Sequence, residues 1–347
     1  MNRYAGILIL LLALFVSAGA QKKGVEIIRK DNDRRIDITI NGKPFTSYIW
    51  PESLKKPVLF PVRTAKGTIV TRGYPLEPRA GESIDHPHQV GLWFNYGDVN
   101  GIDFWNNSIY RTKDEAAKLG TIVHRKIVEA KNGKTGELVV EADWVMPDGK
   151  VILTETTRFV FLGDDARWVI DRITTLKALN ERVLFKDNKE GLIGFRVARE
   201  LEQPAKAPIL LTDANGKPST TPVLDNSVVT GKFRNSEGKT GDEVFGTRGR
   251  WSSLSGKIGQ EEITLAILDN ARNPGYPTYW FTRGYGLFAA NPLGQRAFST
   301  EKKESPVREL NFALEPGKSV TFRFRVLIVS GKEDVEGEYR RFADGKL

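Results

Sequence analysis

Short runs of β-branched and aromatic residues, each set off by Gly, Pro, Asn or Asp, follow one another across residues 25–329. This pattern constrains the fold more than any other feature, because an extended run satisfies its backbone hydrogen bonds only by pairing with another run. Ile36-Asp37-Ile38-Thr39-Ile40 alternates apolar with polar and stops at Asn41-Gly42, so the chain is expected to open on a hairpin. Residues 45–50 and 58–62 read as short strands cut by Pro51, Pro57 and Pro61, which suits edges and crossovers. Residues 121–130, 137–146, 151–161 and 168–176 form a meander, turning at Asn132-Gly133, Pro147-Asp148-Gly149 and Gly163-Asp164-Asp165. Helix is predicted only over 113–119, ended by Gly120, and over the tail 335–343. Residues 203–240, with Pro204, Pro208, Pro218 and Pro222, read as a long loop or lid. Strands at 263–268, 279–281, 286–290 and 320–329 complete an all-β chain: a large antiparallel two-sheet β-sandwich with little helix, forming a single domain over 21–347.

Residues 1–20 read as a signal peptide. Arg3 supplies the charge, residues 7–16 the apolar run and Ala18-Gly19-Ala20 the cleavage signal, which predicts an exported protein, periplasmic or secreted. The run is short for an uncleaved anchor, and no later stretch is apolar enough for stable membrane insertion. With no cysteine, disulfides, thiolate ligands and a cysteine nucleophile are excluded. The net charge of +9 is dispersed in pairs such as Lys55-Lys56 and Lys302-Lys303 without interleaved aromatics, which argues against a nucleic-acid partner. G-x-S-x-G, P-loop and dinucleotide fingerprints are absent.

Chemistry concentrates in IDHPHQVGLWFNYGDVNGIDFWNN, residues 84–107, which holds two of the three histidines. If the segment is extended, His86 and His88 point to one side and Gln89 to the other. The two imidazoles then serve as acid or base, or join His124 in holding a divalent metal. The competing reading has them bonded to nearby backbone, with His124 an ordinary strand residue. Asp187-Asn188-Lys189-Glu190-Gly191 offers a carboxylate whose pKa Lys189 could tune, or a plain surface turn. Arg283-Gly284-Tyr285-Gly286, with Trp280, supplies flat rings and a planar donor suited to a sugar, and Trp93 and Arg248 could join that wall. Asp98 and Asn100 sit in a Gly-rich segment that fits a ligand loop or a tight turn.

The stretch DHPHQVGLWFNYGDVNGIDFW, followed by GTIVHR, DNKEG, GTRGRW and RNPGYPTYWFTRGYGLFAANPLG, resembles an exported bacterial family labelled PmoA-like, or methane oxygenase. Gln89 stands where members of that family usually show a further histidine. The resemblance favours Glu190 as the functional acid, and its members look like large sugar-handling sandwiches of the galactose-mutarotase-like type. The concentration of titratable and aromatic residues in a few loops points to an enzyme of hydrolase, lyase or isomerase type acting on a glycan-derived sugar with His86, His88, Lys189, Glu190 and Arg283 as catalytic groups. Asp187 joins the binding residues. A non-catalytic glycan-binding protein and a metal-dependent oxidative enzyme are the alternatives. The partner is thus a carbohydrate or small molecule; the residues fix no cofactor and allow the divalent metal named above.

Overall fold

A computed structural model describes residues 24–345. The expected signal peptide lies outside the described residues.

In chain order the strands are β1 (Val25–Lys30), β2 (Arg35–Ile40), β3 (Lys43–Ile49), β4 (Val58–Leu59), β5 (Leu92–Tyr96), β6 (Thr121–Lys131), β7 (Gly136–Val145), β8 (Val151–Gly163) and β9 (Arg167–Ala178). There follow β10 (Val183–Phe185), β11 (Gly191–Arg196), β12 (Lys232–Asn235), β13 (Trp251–Ile258), β14 (Glu261–Asp269), β15 (Tyr279–Arg283), β16 (Leu287–Asn291), β17 (Phe312–Leu314) and β18 (Ser319–Ser330). They make two eight-stranded antiparallel sheets, ordered β1-β2-β3-β4-β5-β11-β16-β15 and β12-β13-β14-β18-β9-β8-β7-β6, with β10 and β17 as a separate pair. The expected all-β antiparallel architecture is the one observed.

The opening hairpin forms as read, with Asn41 at φ 51° and Gly42 at φ 75°, the pair of left-handed residues that a two-residue turn matched to strand twist requires. The meander strands match the predicted runs to within two residues at each end. Three readings are corrected. The strand predicted over 58–62 shrinks to β4, since Pro61 cannot donate to a ladder. The predicted helix at 113–119 is the single turn α1 (Lys113–Ala116), started by a capping box between Thr112 and Glu115 and stopped when the Asp103 amide takes the Lys118 carbonyl at 3.0 Å. A second helix, α2 (Gln295–Glu301), was not legible, and α3 (Val335–Ala343) matches the predicted tail. The loop expected over 203–240 is irregular only as far as 231, because Lys232–Asn235 inside it pair with β13 as β12; Asn226 closes part of the irregular stretch by bonding both backbone groups of Ala205.

The main core lies between the sheets. Alternation along β5 sends Leu92, Phe94 and Tyr96 inward to meet Phe185, Phe322 and their neighbours, and leaves Trp93 and Asn95 on the outer face. Each inward aliphatic or phenyl side chain contributes roughly 1.5–3 kcal/mol on burial. The outer face of the first sheet is also covered: Trp93, Trp105, Tyr279, Phe281 and Leu287 form a second cluster capped by Phe298 of α2. The segment 84–107 therefore crosses a sheet face that is dry on both sides, which is the setting in which buried polar groups have their largest effect.

Candidate functional site

The histidine segment is not extended. The Gln89 amide donates to the His86 carbonyl at 2.9 Å, closing a turn in which His86 adopts φ 43°. The two imidazoles do approach each other, with ring centroids 5.6 Å apart and planes at 76°, but they reach that arrangement through the turn and not by strand alternation. Gln89 is corrected for the same reason: instead of pointing away, its Oε1 accepts from Arg196 at 2.7 Å.

Two arginines that are wholly buried hold this turn. Arg72 donates to the carbonyls of Ser83, Asp85, His86 and Gln89 at 2.8–3.1 Å. Arg72 and Arg196 both donate to Asp85 Oδ1, at 2.6 and 2.5 Å. Burial opposes a charge on Asp85, yet the Arg196 guanidinium, the His86 bond and Arg72 outweigh it and hold the carboxyl far below the usual carboxylate range. Its other oxygen lies 2.7 Å from His86 Nδ1. With Nδ1–H donating there, Nε2 is left facing outward, the orientation an acid–base imidazole needs. The His86 ring is flat against Tyr285 at 4.8 Å and 10°, and Arg196 lies 4.8 Å from the same ring.

Glu190, at the head of β11, forms the other end. Asn106 Nδ2 donates to Glu190 Oε2 at 2.5 Å and to Asp103 Oδ2 at 2.7 Å, while the amides of Trp105 and Asn106 hold Asp103 Oδ1. Burial pushes the Glu190 carboxyl up, the Asn106 bond opposes the shift, and the Asp103 charge adds to it. His86 is close enough for its charge to bear on Glu190. Beside this end opens a cavity of about 640 Å³ lined by Asp98, Asp103, Asn106 and Arg111.

Between the two ends lies a buried layer. His88 is 5% exposed, and neither ring nitrogen has a hydrogen-bond partner among the described residues. Burial, with the charges of Lys56 and His86 adding, holds its pKa down to about 2, so it is a neutral imidazole. Lys56 is equally buried; its Nζ donates to the His88 carbonyl at 2.7 Å and lies 5.6 Å from the Trp93 ring. Burial brings the Lys56 amine down to about 7, against the pull of Asp103.

The remaining candidates divide. Lys189 is half-buried beside Glu190 and its carbonyl is held by Asn291. Trp93 is fully buried, its ring filling the space that Gly194 leaves by lacking a Cβ, so it lies beneath the site and is no stacking surface. Trp280 faces the inter-sheet core. Asp187 caps α2 through the amides of Arg296 and Ala297 at 2.7 and 3.0 Å, Asn100 is spent on Leu184 and Arg182, and Arg248 is pinned to the Gly275 and Pro277 carbonyls. Asp98 accepts from the Gly101 amide as the tight-turn reading expects. Sequence reading missed Lys56, Arg72, Asp103, Asn106 and Arg196 as site residues. Only Asp85, directly before a histidine, carried a local signal.

His124 is not part of a histidine trio. It packs on Trp50 at 4.0 Å and meets the Tyr48 hydroxyl at 3.1 Å on the second sheet's edge. Among the described residues no group of three or more His, Cys, Asp or Glu is placed to hold a metal ion. His86 Nδ1 and Asp85 are committed to each other and to arginines, and Lys56 sits beside His88, so these residues do not fit a divalent metal.

The fold and site thus define an all-β two-sheet protein with an arginine-clasped Asp–His pair and a raised carboxyl on one sheet face. The chain belongs to DUF6807, a family of unknown function whose profile matches residues 35–341. That match does not support the methane-oxygenase resemblance. No curated protein matches the sequence. Similar solved structures include the galactosidase domain of alpha-galactosidase-sucrose kinase AgaSK, at 11% identity over 88% of this chain and 42% of that one, with TM-score 0.40. The GH36 alpha-galactosidase AgaB from Geobacillus stearothermophilus gives 10% over 88% and 41%, TM-score 0.39. A glycoside hydrolase family 97 enzyme from Pseudoalteromonas sp. strain K8 gives 10% over 90% and 35%, TM-score 0.32. The chain spans less than half the length of each. Likeness at this level says nothing about chemistry.

Proposed function

We propose that the protein is an exported carbohydrate-active enzyme, of hydrolase, lyase or isomerase type, that works on a glycan-derived sugar with His86 and Glu190 as its acid–base pair. The observation that carries this reading is the His86 ring, oriented by an Asp85 carboxylate that two buried arginines keep ionised, on the same sheet face as a carboxyl that burial pushes up. An imidazole oriented by a fixed carboxylate and a carboxyl that burial pushes up are the two environments that assign a base and an acid to different steps. One group takes a proton from a sugar hydroxyl, or from a carbon next to a carbonyl. The other returns a proton to the ring or glycosidic oxygen, so the net proton count is unchanged.

The aromatic platform for the sugar differs from the one expected. Tyr285 is occupied by His86 and Arg196. Tyr110, 57% exposed, lines one cavity with Pro87 and His88 and offers the flat apolar surface that a pyranose covers. The export assignment rests on residues 1–20 alone.

Purified protein would be screened against reducing sugars, oxidised sugars and oligosaccharides by NMR, which sees hydrolysis, elimination and anomer exchange alike. His86→Ala and Glu190→Gln, each verified as folded, are expected to lower turnover by roughly 10²–10⁴-fold. Turnover equal to the parent's in either variant sinks the mechanism. The non-catalytic reading is favoured instead if a sugar binds, Tyr110→Ala abolishes binding, and no product forms at any protein concentration.

A further inference from the structure

We propose that the sugar carries a carboxylate and that Arg283 is the group that reads it; the proposal rests on the acid–base function just described. Arg283 ends β15 in the tight hairpin that also carries Tyr285, with the Gly286 amide donating to the Arg283 carbonyl at 3.0 Å. Because Tyr285 lies flat on His86, this hairpin ties the position of the arginine to that of the imidazole. The side chain is on the outer face with Phe281. Its guanidinium carbon is 3.7 Å from the Phe245 ring centroid and 5.4 Å from that of Phe281.

What sets Arg283 apart is that its guanidinium has neither a carboxylate nor a carbonyl partner among the described residues. Arg72, Arg196 and Arg199 each have a carboxylate partner, and the half-buried Arg248, which has none, gives its N–H groups to the Gly275 and Pro277 carbonyls. Arg283 is half-buried, yet among the described residues no carboxylate lies within ion-pair distance and no acceptor takes any of its N–H groups. The nearby acids are committed: Asp242 to Lys206 and Gln203, and Glu304 to the Tyr279 hydroxyl and Arg308. A second cation, Lys302 Nζ, stands 5.4 Å from the same Phe245 ring, also without a carboxylate partner among the described residues. Two cations thus share one aromatic ring with no counter-charge between them.

A guanidinium held against a ring has already lost part of the freedom that binding would otherwise cost, and its parallel N–H groups match the two oxygens of a carboxylate. A uronate meets both demands, with its pyranose over the acid–base pair and its carboxylate on Arg283. Lys302 supplies a longer-range attraction that salt weakens.

The test is titration of the full-length protein with D-galacturonate, D-glucuronate, D-galactose, D-glucose and D-galactose 6-sulfate, followed by calorimetry and by the His86 ring resonances. At least one uronate is expected to bind about tenfold or more tighter than its neutral parent while shifting the His86 signals. Arg283→Lys keeps the charge but not the fork and should remove most of the advantage. Arg283→Gln should remove all of it. Equal affinity for uronate and neutral sugar, with His86 still shifting, overturns the carboxylate proposal and leaves the acid–base reading standing. Tighter binding of the sulfate ester than of either uronate also overturns it. Failure of every sugar to move the His86 signals removes both.

Discussion

Lys56→Met changes the least compatible group in the site into one of nearly the same volume. The amine is buried and has one hydrogen bond, to the His88 carbonyl, and its pKa falls from 10.5 in an ordinary lysine to about 7. The direction of the pH effect follows from proton counting. Between pH 7 and pH 10.5 the unfolded chain binds more protons at this residue than the folded chain, so stability climbs as pH rises through that window. At pH 7 the cost of folding with this lysine is about 4 kcal/mol, and at pH 9 about 2 kcal/mol. Methionine removes that cost and loses a hydrogen bond worth about 1 kcal/mol, so the variant should be more stable than the parent at pH 7. The advantage should shrink by about 2 kcal/mol by pH 9. Urea unfolding of both proteins at pH 7, 8 and 9 measures it, and taking the difference cancels every other titrating group. A stability difference that stays flat across those pH values would refute the burial argument for Lys56. A less stable variant at pH 7 would show that the amine finds a compensating anion.

Four further variants test the same geometry. Asp85→Asn leaves two wholly buried guanidiniums without their shared anion, so stability should drop by about 3 kcal/mol in chemical denaturation. In the same variant His86 loses its orienting partner, and the pH–rate profile should change shape as well as height. Tyr110→Ala should raise KM several-fold with little change in kcat, because an exposed stacking ring contributes to ground and transition states alike. Gly91→Ala should cost about 3 kcal/mol, since Gly91 has φ 61° and a Cβ there would lie 2.2 Å from the Leu59 carbonyl oxygen; thermal melting checks it. His124→Ala should leave turnover within about twofold and reduce only stability, by the packing it loses against Trp50 and Tyr48.

The fold was legible because strand alternation and turn residues act locally. Asn41-Gly42 sets a hairpin wherever it stands between alternating runs, and the meander from β6 to β9 needs only its own turns. The helix α2 was not, because part of what holds it is an Asp187 cap supplied from more than a hundred residues away. Half of the site was legible on the same grounds. His86, Glu190 and Arg283 stand in segments too polar and too aromatic for filler. Arg72, Arg196 and Lys56 stand in ordinary strand or loop text, and only the sheet order brings β11 alongside β5 and beneath the histidine turn. The metal trio failed for the converse reason: scarcity of histidine in the sequence says nothing about which sheet each one joins.

Why the chain places so many charges in a dry layer is a question of specificity. A hydrophobic replacement of Arg72, Arg196 and Asp85 would be neutral or favourable for stability in many proteins. It would also release the turn, because Arg72 alone holds four of its carbonyls, and His86 keeps its left-handed backbone and its contact with Tyr285 only while that turn is closed. The anion shared by the two arginines is also the partner of the imidazole, so the groups that fix the loop and the group that orients the proton-transfer atom are one network. Loop geometry and acid–base geometry should therefore fail together. An Arg196→Met variant tests this: it should disturb the His86 ring resonances even if overall stability is preserved. A variant of unchanged stability and unchanged His86 signals would show that the clasp is structural only.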